Sequence, residues 1–126
     1  MKRKIIVVDD SLTIRQHVRF TLERCGYEVL EAVNGQEGLT TIKKNPDLAM
    51  AIVDINMPLI NGIELTAQVK GMINGQLPII VLTTEGSADL IEKAKAAGAT
   101  AYMVKPFIPE QLEAVARKIA GSPDKP

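Results

Sequence analysis

Ile5-Ile6-Val7-Val8-Asp9-Asp10 near the start of the chain and Met50-Ala51-Ile52-Val53-Asp54 near its middle follow one plan, a short apolar run that stops on a carboxylate. Such runs, rich in β-branched residues and without polar alternation, read as strands buried on both faces, the habit of a parallel sheet. Ile79 to Leu82 repeats the pattern, and Ala101 to Val104 repeats it more weakly. Glu28 to Ala32, apolar chiefly at Val29 and Leu30, reads as an edge strand.

Helical periods fill the gaps between these runs. Ile14, Val18, Leu22 and Cys25 make one stripe, while Arg15, Arg19 and Glu23 repeat on another face of the same helix. Leu39 with Ile42, and Leu65, Val69 and Met72, mark a second and a third helix. A fourth, about Ser87 to Ala97, is Ala-rich and weakly amphipathic, with Gly98 just past its end. The fifth starts at Pro109 and buries Leu112, Val115, Ala116 and Ile119 before Gly121. Alternating strands and helices joined by right-handed crossovers give an α/β fold, a doubly wound five-stranded parallel sheet with helices on both faces.

The 126 residues suffice for one core, taken as residues 1–120, with 121–126 a polar tail too short to carry an output domain. Lys+Arg and Asp+Glu both number 15, so no long-range field directs the chain to nucleic acid or to an anionic membrane. The apolar run after the basic start ends at two aspartates, so neither an export signal nor a membrane span is expected. Cys25 stands alone, without the His or second Cys that would make it a base-activated thiol or a ligand. It reads as a small core residue in a reducing, cytoplasmic setting. His17, the only histidine, reads as a solvated residue of the first helix, away from the acids.

The reactive side chains all fall at strand ends. Asp9 and Asp10 close the first strand, Asp54 the third and Thr83 the fourth, and Lys105 follows the fifth; the edge strand ends in Glu31 and adds nothing of this kind. Ligands of doubly wound sheets bind beyond the carboxyl ends of the strands, where strand order reverses, so these five residues converge there. Like charges about 4 Å apart repel by roughly 4 kcal/mol at an effective dielectric near 20, so three carboxylates in one crevice need a cation. Hard oxygen ligands without His or Cys suit Mg²⁺, with Mn²⁺ as a substitute. Lys105 and Thr83 are donors suited to a tetrahedral oxyanion, and a carboxylate among them is a nucleophile towards phosphorus.

Val8-Asp9-Asp10-Ser11, Val53-Asp54-Ile55-Asn56-Met57-Pro58, Leu82-Thr83-Thr84-Glu85 and Val104-Lys105-Pro106-Phe107, in this order, resemble the motifs of two-component response regulator receiver domains. Single-domain chemotaxis regulators of the CheY type are the most similar kind. The resemblance implies strand order 2-1-3-4-5 in a flavodoxin-like three-layer sandwich. It also implies phosphorylation of Asp54 by a sensor histidine kinase, Mg²⁺ bound by Asp10, Asp54 and the Asn56 carbonyl, and Asp9 reaching the ion mainly through water. Lys105 would contact the phosphoryl oxygens, Thr83 would move to them, and Tyr102 would turn inward behind it, with a cis bond before Pro106. Thr84, bulkier than in many relatives, would narrow that path, and Asn56 and Glu85 would tune hydrolysis. A monomer would then bind a target protein through the fourth helix, fifth strand and fifth helix, where Ile91 and Tyr102 look exposed.

Three other functions fit less well. Aspartate-nucleophile phosphatases resemble Asp-x-Asp-x-Thr after the first strand, whereas this chain reads Asp9-Asp10-Ser11-Leu12-Thr13. A flavin phosphate would meet adjacent aspartates where it needs backbone NH groups and hydroxyls. A module that merely keeps the fold has no use for the full acidic set. A single Asp at a strand end is often just a helix cap, and Asp10 before Ser11-Leu12 taken alone would be read so.

Overall fold

Residues in the central strands alternate between two faces, and each face finds its own helices in the computed structural model, which describes residues 2–57, 60–72, 75–84 and 88–124. The elements run β1 (Lys4–Val8), α1 (Leu12–Cys25), β2 (Glu28–Ala32), α2 (Gly35–Lys44), β3 (Leu48–Asp54), α3 (Gly62–Lys70), β4 (Ile79–Thr83), α4 (Ala88–Ala97), β5 (Ala101–Val104) and α5 (Pro109–Ile119). All strand pairs are parallel, in the order β2-β1-β3-β4-β5. Ile5, Val7, Met50, Ile52, Ile80 and Leu82 face α1 and α5, where Val18, Leu22, Leu112 and Ala116 meet them. The intervening Ile6, Val8, Ala51, Val53, Ile79 and Val81 face α2, α3 and α4. A wholly apolar strand follows from this arrangement, since both of its faces are covered.

Polar residues set the helix starts. Ser11 Oγ accepts from the Ile14 amide, Asn34 caps α2, and Asn61 with Glu64 forms a reciprocal capping box on α3. Ser11 therefore performs the capping that Asp10 alone would suggest, and the Asp10 carboxylate is left for other work. Gly26 and Gly98, past α1 and α4, have φ of 106° and 113°, a left-handed conformation that glycine adopts without steric penalty. Among the described residues, no helix is long and apolar enough to cross a membrane.

The structure corrects three expectations. The run Ala101 to Val104 is not buried on both faces: Val104 and Tyr102 of β5 are exposed, because Ala94 is the sole fully buried residue of α4 and this helix leaves that part of the sheet uncovered. Ile91 of α4 is half-buried rather than exposed. His17 is half-buried too, its ring stacked on Phe107 with centroids 5.1 Å apart. Beyond Gly121, Pro123 is buried beside Gly26 and its carbonyl accepts from the Arg3 amide at 2.7 Å.

Gly62 fixes how closely α3 approaches the end of β3. A Cβ there would lie 2.3 Å from the Asp54 carbonyl oxygen and 2.9 Å from the Ile55 Cα, against backbone that cannot yield cheaply. Gly62→Ala is expected to destabilise the fold by about 1–3 kcal/mol, the usual effect of overpacking. Urea unfolding should show the midpoint lowered by roughly 1 M; an unchanged midpoint would show that α3 can retreat freely.

Candidate functional site

Sheet topology creates the crevice. From β1 the chain moves outward to β2, then returns across β1 to β3, so the connections leaving β1 and β3 diverge above their carboxyl ends. Asp9 stands immediately past β1 and Asp54 is the last residue of β3. Asp9 is wholly buried, Asp54 is 4 % exposed and Asp10 is exposed. One carboxylate oxygen from each of the three lies within 4.8 Å of the others.

Lys105 reaches over from the end of β5 and bridges two of these acids. Its Nζ donates to Asp9 Oδ2 at 3.0 Å and lies 3.3 Å from Asp54 Oδ1. The Lys105 amide donates to the Thr83 carbonyl at 2.7 Å, which ties the base of this arm to β4. Asp9 Oδ1 accepts from the Ser11 amide at 2.8 Å, and Asp54 Oδ1 accepts from the Asn56 amide at 3.3 Å. Burial first, and then the Asp9 carboxylate, push the Asp54 carboxyl above its ordinary value of 3.8, while Lys105 and the Asn56 amide pull it down. One ammonium thus touches two of three clustered acids. The chemistry of this donor set, all hard oxygen around a partly uncompensated negative charge, fits a small dication such as Mg²⁺.

The other residues singled out from sequence are distributed around this centre. Thr83 is fully buried at the end of β4, and Thr84 beside it is exposed. Asn56, two residues past β3, is exposed, and the Lys105–Pro106 peptide bond is cis. Tyr102 points outward, 42 % exposed, two residues before the top of β5. Glu85 lies outside the described residues, as do Pro58 of the loop after Asp54 and Ser87 before α4.

Sequence reasoning missed Arg15 and misjudged Glu31. Arg15 is buried, and its Nη1 donates to the Asp9 carbonyl oxygen at 2.7 Å while its Nε donates to Glu31 Oε1 at 3.0 Å. Glu31, at the end of the edge strand, therefore does connect to the site. No local pattern announces this, because Arg15 shares its helical repeat with the more exposed Arg19 and Glu23.

Comparisons with known proteins agree with the geometry. The family model for the response regulator receiver domain matches residues 5–117, and the chain belongs to that family. It is 41 % identical over 123 residues to chemotaxis protein CheY1 of Helicobacter pylori, covering 96 % of this chain and 99 % of that protein. A chemotaxis protein CheY homolog of Campylobacter jejuni is 40 % identical over 121 residues, covering 94 % of this chain and 93 % of its own. Among solved structures, Vibrio cholerae chemotaxis protein CheY4 superposes with a TM-score of 0.90 at 39 % identity, over 94 % of this chain and 99 % of that one. The chain is thus a receiver domain, a phosphorylation-activated switch of two-component signalling, and receiver domains bind Mg²⁺ at an acidic pocket of this kind.

The electrostatics make a stability prediction. An acid with a raised folded-state pKa binds more protons folded than unfolded, so the stability of the metal-free protein falls as pH rises above the ordinary Asp value and through the raised one. Asp54→Asn removes that penalty at nearly constant shape. At neutral pH in chelator, the variant is expected to melt higher than the parent, by roughly 4 °C for each kcal/mol recovered. Mg²⁺ at a hundred times its Kd should stabilise the parent by about 2.7 kcal/mol and the variant by less. A variant that melts lower in chelator would show Asp54 to be well compensated already.

Proposed function

We propose that Asp54 accepts the phosphoryl group of a histidine kinase, and that Asp9, Asp10, Asp54 and the Asn56 carbonyl hold the Mg²⁺ that assists. The observation that carries this reading is the Lys105 ammonium bridging buried Asp9 and Asp54 beneath an exposed Asp10. A carboxylate oxygen of Asp54 attacks phosphorus in line as the bond to the donor nitrogen breaks, leaving an acyl phosphate on Asp54 and, from a donor ring protonated on its other nitrogen, a neutral imidazole on the kinase. Bound Mg²⁺ would neutralise charge on the transferring phosphoryl oxygens.

Two of the acids divide the work. Both Asp9 carboxylate oxygens are already engaged, one by the Ser11 amide and one by Lys105, which supports an indirect role for Asp9. Asp10, exposed and relieved of capping by Ser11, supports a direct one. Lys105 is within reach to transfer its donor from Asp54 to a new phosphoryl oxygen, and buried Thr83 supplies a hydroxyl from the next strand. Exposed Thr84 and Asn56, with Glu85, would set how readily water reaches the acyl phosphate and so the lifetime of the signal.

Output follows from the same arm. Thr83 movement and inward rotation of exposed Tyr102 would alter the α4–β5–α5 face, where Val104 is exposed and α4 is lightly anchored. A phosphoryl group that favours one arrangement by about 1–3 kcal/mol changes partner affinity roughly 5–150-fold. The similarity to chemotaxis proteins of Helicobacter, Campylobacter and Vibrio supports a chemotaxis target, met by a monomer in the cytoplasm.

With Mg²⁺ and acetyl phosphate, intact-mass measurement should show one added phosphoryl group, labile to hydroxylamine and absent in Asp54→Ala; an undiminished adduct in that variant refutes the assignment. Calorimetric titration should rank Asp10→Ala above Asp9→Ala in loss of Mg²⁺ affinity, and the reverse order would exchange their roles. Lys105→Ala should keep most of its metal affinity yet lose the response of the Thr83 and Tyr102 NMR resonances to beryllofluoride. Parent resonances that change only in the loops around Asp54 would exclude this route of signalling.

A further inference from the structure

We infer that Arg15, held in place by Glu31, is a positioning residue for the acidic turn, so that edge strand β2 helps to set the metal-binding geometry. The inference rests on the reading of Asp9, Asp10 and Asp54 as the metal site. Arg15 retains only 9 % exposure, an unusual fate for a guanidinium on the second turn of a helix. Two nitrogens of its fork are engaged, with Nη1 donating to the Asp9 carbonyl oxygen at 2.7 Å and Nε to Glu31 Oε1 at 3.0 Å. Glu31 is itself gripped from the other side by Arg19 Nη1, and Arg19 Nη2 donates to the Val29 carbonyl at 2.9 Å. The pair of arginines and the glutamate therefore lock α1 to β2 along the strand that borders β1.

The atom that Arg15 holds explains what the lock does. The Asp9 carbonyl and the Asp10 amide share one planar peptide, so a charge-assisted bond to that oxygen fixes the plane from which the Asp10 side chain departs. The remaining polar atoms of Asp9 are also engaged: its amide donates to the Ala32 carbonyl at 3.1 Å, and its carboxylate oxygens accept from Ser11 and Lys105. Among the described residues, Arg15 is the side chain that holds the peptide leading to Asp10. A lysine could place a charge nearby, but it could not face the carbonyl and Glu31 at once with a rigid fork.

The test uses the whole chain, Mg²⁺ alone as the probe, and Arg15→Met, Arg15→Lys, Glu31→Ala and Glu31→Gln. Circular dichroism and urea unfolding establish that each variant is folded, and calorimetry then gives its Mg²⁺ affinity. Loss of an outer partner of a metal ligand typically weakens affinity about 10–100-fold, and Arg15→Met and Arg15→Lys should fall in that range. Glu31→Ala should be weakened by a smaller factor, and Glu31→Gln, which keeps an acceptor for Arg15, should recover most of the loss. In metal-free protein the Asp10 amide resonance should move in Arg15→Met and Glu31→Ala and return towards the parent position in Glu31→Gln. Should Arg15→Met fail to fold, Glu31→Ala against Glu31→Gln decides by the same two readouts. Folded variants that all bind Mg²⁺ as the parent does overturn the inference and leave the site intact. A parent with no saturable Mg²⁺ binding, or one matched by Asp54→Asn, overturns the reading of the site and this inference with it.

Discussion

A single ammonium set among three carboxylates is the interaction on which the rest depends. Lys105 lies 3.0 Å from Asp9 and 3.3 Å from Asp54, close enough to make burial of both acids tolerable and too little to neutralise all three. The protein keeps this residual imbalance where a better-packed pair would have been more stable, since buried ion pairs with an unmet charge generally weaken a fold. The shortfall of positive charge suits the crevice to a small dication.

Holding that imbalance requires stiff supports, and the sheet supplies them. β1, β3 and β4 are apolar on both faces, so their positions are fixed by packing against two layers of helices. Asp9, Asp54 and Thr83 emerge from the ends of these covered strands, and little slack reaches them. β5 contrasts with them. Tyr102 belongs to, and Lys105 follows, a strand with one face open, next to a helix with a single fully buried residue. Strands covered on both faces carry the acids, and the less covered edge leads to the arm that reaches them.

Much of this was legible from the chain. A strand buried on both sides spells its own length in apolar residues and its own end in the first polar one, so Asp9, Asp54, Thr83 and Lys105 could be placed before any coordinates. Alternation of strand and helix then dictated a crevice, and the four motifs supplied the strand order. The hidden part was tertiary in origin. Arg15 repeats with Arg19 and Glu23 on one helix face and looks solvated, and only the docking of β2 beside it brings Glu31 near enough to bury it. His17 likewise looked idle because its partner, Phe107, comes from the far end of the chain. α4 offered little to read: an Ala-rich helix has a weak stripe whichever way it turns, and Ile91 proved half-buried.

The ends of the described chain meet. Lys2 and Asp124 form an antiparallel bridge, the Arg3 amide and Nε donate to the carbonyls of Pro123 and Ser122, and Pro123 is buried against Gly26. These contacts sit where β1 begins, at the pole opposite the strand ends that carry the acids. Circular permutation suits such an arrangement, because a linker of a few residues would join the bridged ends without displacing a strand. New ends opened in the Asn45–Asp47 turn before β3, at the same distant pole, would leave the spatial order of the sheet and the crevice unchanged while reversing which half of the site is synthesised first. The strand that ends in Asp54 would then precede the Asp9–Asp10 strand in the chain, separating what the site needs in space from what it inherits in order.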